Sequence, residues 1–78
     1  MKIEILGMGC PKCKKLYENA QTAAKELNLQ ADIVKIESME QIVQHGVMIT
    51  PALVVDGKIK VAGSVPEVAK IKEWLAQG

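Results

Sequence analysis

The stretch Thr50–Leu75, TPALVVDGKIKVAGSVPEVAKIKEWL, decides the fold of this 78-residue chain. Asp56-Gly57 between two apolar runs is a strong signal for a tight hairpin, which predicts antiparallel strands at Ala52–Val55 and Lys58–Ala62. Continuous apolarity makes the first strand central, whereas lysines that alternate with apolar residues make the second strand an edge. A helix is predicted over Val68–Leu75, so the pattern ends on a helix.

The N-terminal half is predicted to form a β-α-β unit. Lys2–Leu6 reads as a buried strand, and Pro11–Leu27 has the apolar spacing of a helix. Ala31–Ile36 is rich in β-branched residues and forms the second strand. A helical connection of this length predicts that the two strands are parallel.

Two capping-box patterns mark the starts of further helices. Ser38 to Gln41 precedes a short helix at Met39–His45, and Ser64 to Glu67 precedes the final helix. The predicted order is therefore β-α-β-α-β-β-α, with a central mixed four-stranded sheet. We expect an α/β fold that forms a single domain over residues 1–78.

The only two cysteines, Cys10 and Cys13, are separated by Pro11 and Lys12. With Cys10 as the N-cap of the first helix, Pro11 occupies the first helical position, which suits its fixed φ. The helix N-terminus and the nearby lysines stabilise a thiolate at Cys10. Cys13 begins the apolar stripe and is predicted to point inward. The spacing predicts dithiol/disulfide exchange, in which Cys10 attacks and Cys13 resolves the mixed disulfide.

Two alternatives use the same cysteines. A structural disulfide is disfavoured, because closing so short a loop contributes only about 2 kcal/mol through the unfolded state. Met8–Cys13 also resembles the Met-x-Cys-x-x-Cys loop of heavy-metal-associated copper chaperones, in which two thiolates hold a soft cation. A copper or zinc carrier that binds the ion through Cys10 and Cys13, with or without Met8, is therefore the alternative function. A closed zinc site needs four ligands, and toward it the chain offers only the two thiols and the distant His45.

Composition argues against other functional classes. A net charge of +1 and an aromatic content of 3% argue against a nucleic-acid surface. The N-terminal apolar run is too short for a signal peptide or a membrane span. We expect a monomeric cytoplasmic protein without a bound cofactor or resident metal.

The complete pattern resembles the thioredoxin fold. Thr50-Pro51, the apolar strand, Asp56-Gly57, the lysine-bearing strand, Gly63-Ser64 and a terminal helix look like the C-terminal half of thioredoxin and glutaredoxin. A heavy-metal-associated domain ends on a strand, so the element order favours the thioredoxin-like fold with its three layers. The chain is similar to the short glutaredoxin-like thioredoxins often called redox-active disulfide protein 2.

The resemblance implies roles for further residues. In the family, the proline before the third strand is cis and packs beside the active-site disulfide, and the residue before it pairs with substrate backbone. Here these are Pro51 and Thr50, with Pro11 and Lys12 also contacting the partner. Glu4 lies where thioredoxin carries a buried carboxylate that helps to deprotonate the resolving cysteine, so it is a candidate proton relay. An exposed edge position is the alternative for Glu4.

The implied partners are protein disulfides and a thioredoxin-reductase-like reductant. Glutathione is doubtful, because Gly63-Ser64-Val65-Pro66 replaces the Gly-Gly and acidic pattern of glutaredoxins. His45, the only histidine, is interpreted as a solvated complement to the dipole at the end of the short helix.

Overall fold

The first strand of the chain lies inside a four-stranded sheet, with neighbours on both sides. A computed structural model describes residues 1–9 and 11–77. In chain order the elements are β1 (Lys2–Leu6), α1 (Pro11–Glu26), β2 (Asp32–Ile36), α2 (Met39–Gln44), β3 (Ala52–Val55), β4 (Lys58–Ala62) and α3 (Val68–Gln77). The sheet order is β2-β1-β3-β4. β1 is parallel to β2 and antiparallel to β3, which is antiparallel to β4.

The predicted α/β class, element order and mixed sheet are confirmed. α1 and α2 each end one residue earlier than predicted, β2 begins one residue later, and α3 continues to Gln77. α1 begins at Pro11, as its fixed φ predicts. The predicted N-cap, Cys10, lies outside the described residues.

Neither predicted capping box is found among the described residues. Ser38 is the N-cap of α2, but its side chain makes no capping hydrogen bond. α3 begins at Val68, and the carbonyl of Glu67 accepts from the amides of its first turn, so Glu67 occupies the N-cap position. Ser64 lies three residues earlier and does not cap the helix. The segment between Ser64 and α3 is held by Asn19, whose side-chain amide donates to the Pro66 carbonyl at 3.0 Å.

The helices divide the interior into two cores, which gives three layers as predicted. α1 and α3 pack on one face of the sheet and form the large core, which comprises Ile3, Ile5, Leu16, Ala20, Ala23, Ala24, Leu53, Val55, Ile71 and Leu75. α2 covers the other face over the small core, which comprises Leu6, Ile42, Val47, Ala52 and Val54. Tyr17 and Trp74 are partly buried and pack at the margin of the large core.

A bulge in β4 places Ile59 and Val61 on opposite faces of the sheet, although simple alternation would place them on the same face. Val54 pairs with Ile59, whereas Leu53 pairs with Val61, so Lys60 is the extra residue. An extra residue reverses the alternation of side chains beyond it. Val61 therefore joins Leu53 on the large-core face. Ile59 lies with Val54 on the α2 face and is 46% exposed.

Leu53→Ala should lower the free energy of unfolding by about 2–5 kcal/mol, because it leaves a cavity in the large core. Leu53 is fully buried on the inner strand β3. Ile59→Ala is the matched control on the adjacent edge strand, with an expected loss below roughly 1 kcal/mol. Urea unfolding followed by circular dichroism measures both, and equal losses would contradict the described bulge.

Candidate functional site

Cys13 lies in the first turn of α1 and is buried, with 5% of its surface exposed. It begins the apolar stripe that continues with Leu16 and Ala20, both fully buried in the large core. Its inward orientation agrees with the prediction from that stripe. The sulfur therefore lies in the protein interior and not at the surface.

Gly7 provides the surface against which Cys13 packs. Its amide donates to the Ile36 carbonyl at 3.0 Å, so the pairing of β1 with β2 continues to this residue. A Cβ at position 7 would overlap the Sγ of Cys13 and would lie 3.0 Å from its Cβ. Any side chain here would displace the thiol, so the need for glycine comes from close approach.

Pro51 lies beside the same point. Its Cα is 4.0 Å from the position that a Cβ of Gly7 would occupy, and the residue is fully buried. Its carbonyl accepts from the Gly63 amide at 2.8 Å, which extends the pairing of β3 with β4. The Thr50–Pro51 peptide bond is cis, and Thr50 is half-buried. Cys13 and Pro51 thus meet at Gly7.

Several residues near Cys13 and Pro51 in the sequence are exposed. Pro11 and Lys12 are exposed in the first turn of α1. Met8, Met48 and Ile49 are also exposed, on the segments that lead to Gly9 and to Thr50-Pro51. Apolar side chains are therefore exposed on two segments next to the site. Cys10 lies outside the described residues.

A cavity of about 80 Å³ lies beside Cys13 and is flanked by Lys14, Lys35 and Glu37. Lys35 places its Nζ 4.4 Å from the centre of the Tyr17 ring, a cation–π contact that holds the ammonium group at this wall. The sequence analysis missed Lys35 and Glu37. The usable signal was the parallel pairing of β1 and β2, because the carboxyl ends of parallel strands share one edge of the sheet.

Glu4 is buried on the opposite face of the sheet, where α2 packs. It pairs with Val54 of the small core, and its Oε2 lies 3.0 Å from Nε2 of His45. The side chains of Glu4 and His45 are 10% and 28% exposed. The exposed edge position considered for Glu4 is therefore wrong. The direct pairing with His45 was not predicted, because the sequence does not indicate which side chain faces the end of α2.

His45 caps the C-terminus of α2 and links that helix to the sheet. Its Nδ1 donates to the Gln41 carbonyl at 2.8 Å, while Nε2 contacts the Glu4 carboxylate. A ring protonated on both nitrogens can donate to both acceptors, whereas a neutral ring can donate to only one. The Gln41 carbonyl, and then Glu4, raise the pKa of His45, whereas desolvation and Lys2 lower it. The interpretation of His45 as a complement to the helix dipole thus covers only one of its two contacts.

The described residues contain no group of three or more His, Cys, Asp or Glu side chains that could hold a metal ion. Among the helices within residues 1–9 and 11–77, none combines the length and apolarity needed to cross a membrane.

Residues 1–76 match the family model described as a thioredoxin domain. The chain belongs to the thioredoxin family. It is 43% identical over 76 residues to a thioredoxin of Methanothermobacter thermautotrophicus, covering 97% of this chain and 99% of that relative. It is 42% identical over 73 residues to a thioredoxin of Methanocaldococcus jannaschii, covering 94% of this chain and 84% of the relative. The resemblance to thioredoxin is confirmed, and these comparisons do not support the soft-metal carrier.

In this thioredoxin-like site, Gly7→Ala should lower the free energy of unfolding of the reduced protein by about 1–3 kcal/mol, because the added methyl group overlaps the Cys13 sulfur. Urea unfolding under reducing conditions measures the loss. The matched control is the same substitution in a Cys13→Ala background, where the sulfur is absent and the loss should shrink. An undiminished loss in that background would contradict the contact.

His45→Gln should destabilise the protein more at about pH 5.5 than at about pH 9. Because the folded-state pKa of His45 is raised, its stabilising contribution is complete below the unfolded value and disappears as pH rises through the folded value. Urea unfolding across this range measures the difference between wild type and variant. Glu40→Gln, which changes an exposed carboxylate of α2, is the control and should show no such trend.

Proposed function

We propose that this protein is a thiol-disulfide oxidoreductase that exchanges a Cys10/Cys13 dithiol with the disulfides of partner proteins. The observation that carries the proposal is the buried Cys13, which is held against Gly7 and beside Pro51 at the C-terminal end of β1. The chain that presents this thiol belongs to the thioredoxin family. A thiol buried at this depth is poorly accessible to a large partner. It is suited to an intramolecular attack on a mixed disulfide at Cys10.

The proposed reaction has two exchange steps. The Cys10 thiolate attacks the partner disulfide, so one partner sulfur becomes bonded to Cys10 and the other leaves as a thiolate. Cys13 then attacks the Cys10 sulfur, closes the Cys10–Cys13 disulfide and releases the second partner sulfur. Two electrons pass from the dithiol to the partner. Lys12 and the N-terminal end of the α1 dipole favour the Cys10 thiolate.

The proposed docking surface surrounds Thr50 and Pro51. Their backbone, together with Pro11 and Lys12, contacts the partner chain. Met48 and Ile49 are 90% and 62% exposed, and large apolar side chains left in solvent near a site favour contact with a partner.

The proposed substrates are protein disulfides, and a thioredoxin-reductase-like enzyme regenerates the dithiol. Two relatives named thioredoxin that align over most of their length support this class of partner. Glutathione is a doubtful partner, because the Gly63–Pro66 sequence lacks the Gly-Gly and acidic pattern of glutaredoxins. The dithiol must be re-reduced in each cycle, so we propose that the protein works in the cytoplasm, where thiols are kept reduced. We also propose that it acts as a monomer.

Cys10→Ser is expected to reduce the rate of insulin disulfide reduction to background, because the attacking thiolate is lost. Cys13→Ser should still attack but should accumulate the mixed disulfide, since no resolving thiol remains. Turbidity of reduced insulin follows the first effect, and mass spectrometry of acid-quenched protein detects the second. Full activity of Cys10→Ser would contradict the proposal.

The midpoint potential of the cysteine pair tests the same function independently of any partner. Equilibration in graded thiol/disulfide buffers should give a reversible two-electron transition between about −280 and about −180 mV. A value well below about −300 mV would instead indicate an inert structural disulfide.

A further inference from the structure

The cavity beside Cys13 connects the resolving thiol to one carboxylate. Cys13 and Glu37 line the same space of about 80 Å³, with Gly7 and Gly9 in its wall. A cavity needs only about 10–15 Å³ of such volume to hold a water molecule, so this one has room for water between the two residues. Water in this space would link the Cys13 thiol to the Glu37 carboxylate.

Backbone register explains why Glu37 is on this side of the sheet. Leu6 pairs with Ile36, so Glu37 follows β2 at the level where Gly7 follows β1. Side chains alternate between faces along a strand, so Glu37 is on the face that carries Cys13. Glu37 is an exposed residue, and its Oε2 is 3.6 Å from the position that a Cβ of Gly9 would occupy, so the carboxylate lies at the mouth of the cavity, close to the backbone of the loop before the cysteines.

The resolving step needs a proton acceptor because Cys13 is buried. Attack requires the thiolate, and burial disfavours a free charge on sulfur. An acceptor that takes the proton as the sulfur attacks avoids the isolated buried thiolate. Glu4 does not occupy that position, because its carboxylate lies on the α2 face and contacts His45.

We propose that Glu37 accepts the proton of Cys13, through water in the cavity, when Cys13 resolves the mixed disulfide. This inference rests on the proposed exchange function. Cys13 gives its proton to the Glu37 carboxylate, and its sulfur bonds to that of Cys10. The bond from Cys10 to the partner sulfur breaks, and the partner leaves as a thiolate that takes a proton from solvent.

Among the described residues, three other charged or titratable groups border this space. Lys14 of α1 and Lys35 of β2 line the cavity, and Tyr17 lies under the Lys35 ammonium group. The Glu4–His45 pair is on the far side of the sheet. The two lysines favour negative charge in the cavity, on the Glu37 carboxylate before the proton moves and on the Cys13 sulfur as the proton leaves.

Stopped-flow reaction of the reduced protein with 2,2′-dithiodipyridine separates the two steps. The first thiopyridone is released when Cys10 attacks, and the second is released when Cys13 displaces it from Cys10. Glu37→Gln should leave the first phase unchanged. It should slow the second phase about tenfold near neutral pH. This is less than the roughly 10²–10⁴-fold contribution of a base that is hydrogen-bonded directly to the reacting group, because here the proton passes through water. The deficit should shrink as pH rises and hydroxide becomes an acceptor.

Two matched variants identify the acceptor. Glu40→Gln removes an exposed carboxylate of α2 and should leave both phases unchanged. Glu4→Gln tests the carboxylate that the family resemblance suggested, and the second phase should remain faster than in Glu37→Gln. A wild-type or faster second phase in Glu37→Gln would overturn the proposal, because it would show Glu37 to act only as a repelling charge.

Rescue by a small carboxylate distinguishes proton transfer from a structural effect. Glu37→Ala enlarges the cavity, and sodium acetate should accelerate its second phase in proportion to concentration, whereas sodium chloride at equal ionic strength should not. A slow second phase that acetate leaves unchanged would overturn the proposal. If wild type itself releases no second thiopyridone, the exchange function fails, an outcome distinct from a normal second phase in Glu37→Gln.

Discussion

The contact between the sulfur of Cys13 and the backbone of Gly7 is the constraint on which the rest of the site depends. It fixes the distance between the start of α1 and the end of β1, because no side chain separates them. Pro51, the residue before β3, lies at the same point. A residue distant in the sequence thus joins the contact between β1 and α1, and the resolving thiol is placed by the fold itself.

The order of elements could be predicted because each one carries a local signal: the Asp56-Gly57 turn, the helical apolar stripe from Cys13, and continuous apolarity in β3. Signals that depend on tertiary contacts could not be recognised in the same way. Ser38 matches a capping pattern, yet its side chain makes no capping bond. The bulge at Lys60 has no mark in a strand that alternates regularly, because it arises from pairing with β3.

The candidate site was predictable to a similar degree and for the same reason. The two cysteines and Pro51 belong to contiguous motifs, whereas Gly7 reads as an ordinary loop glycine until the packing of Cys13 is known. Glu4 and Glu37 lie on opposite sides of the sheet, and Glu4 is buried whereas Glu37 is exposed. Glu4 contacts the His45 ring under α2, and Glu37 borders the cavity beside the thiol. Strand register assigns them to these environments.

The two edge strands have a consequence for behaviour at high concentration. An unpaired strand edge can pair with another molecule, and charged side chains along it oppose that association. β2 carries Asp32 and Lys35, and β4 carries Lys58 and Lys60, with the latter in the bulge that distorts the edge. The sheet is therefore protected against edge-to-edge aggregation on both sides, even though apolar side chains near the thiols remain open to solvent.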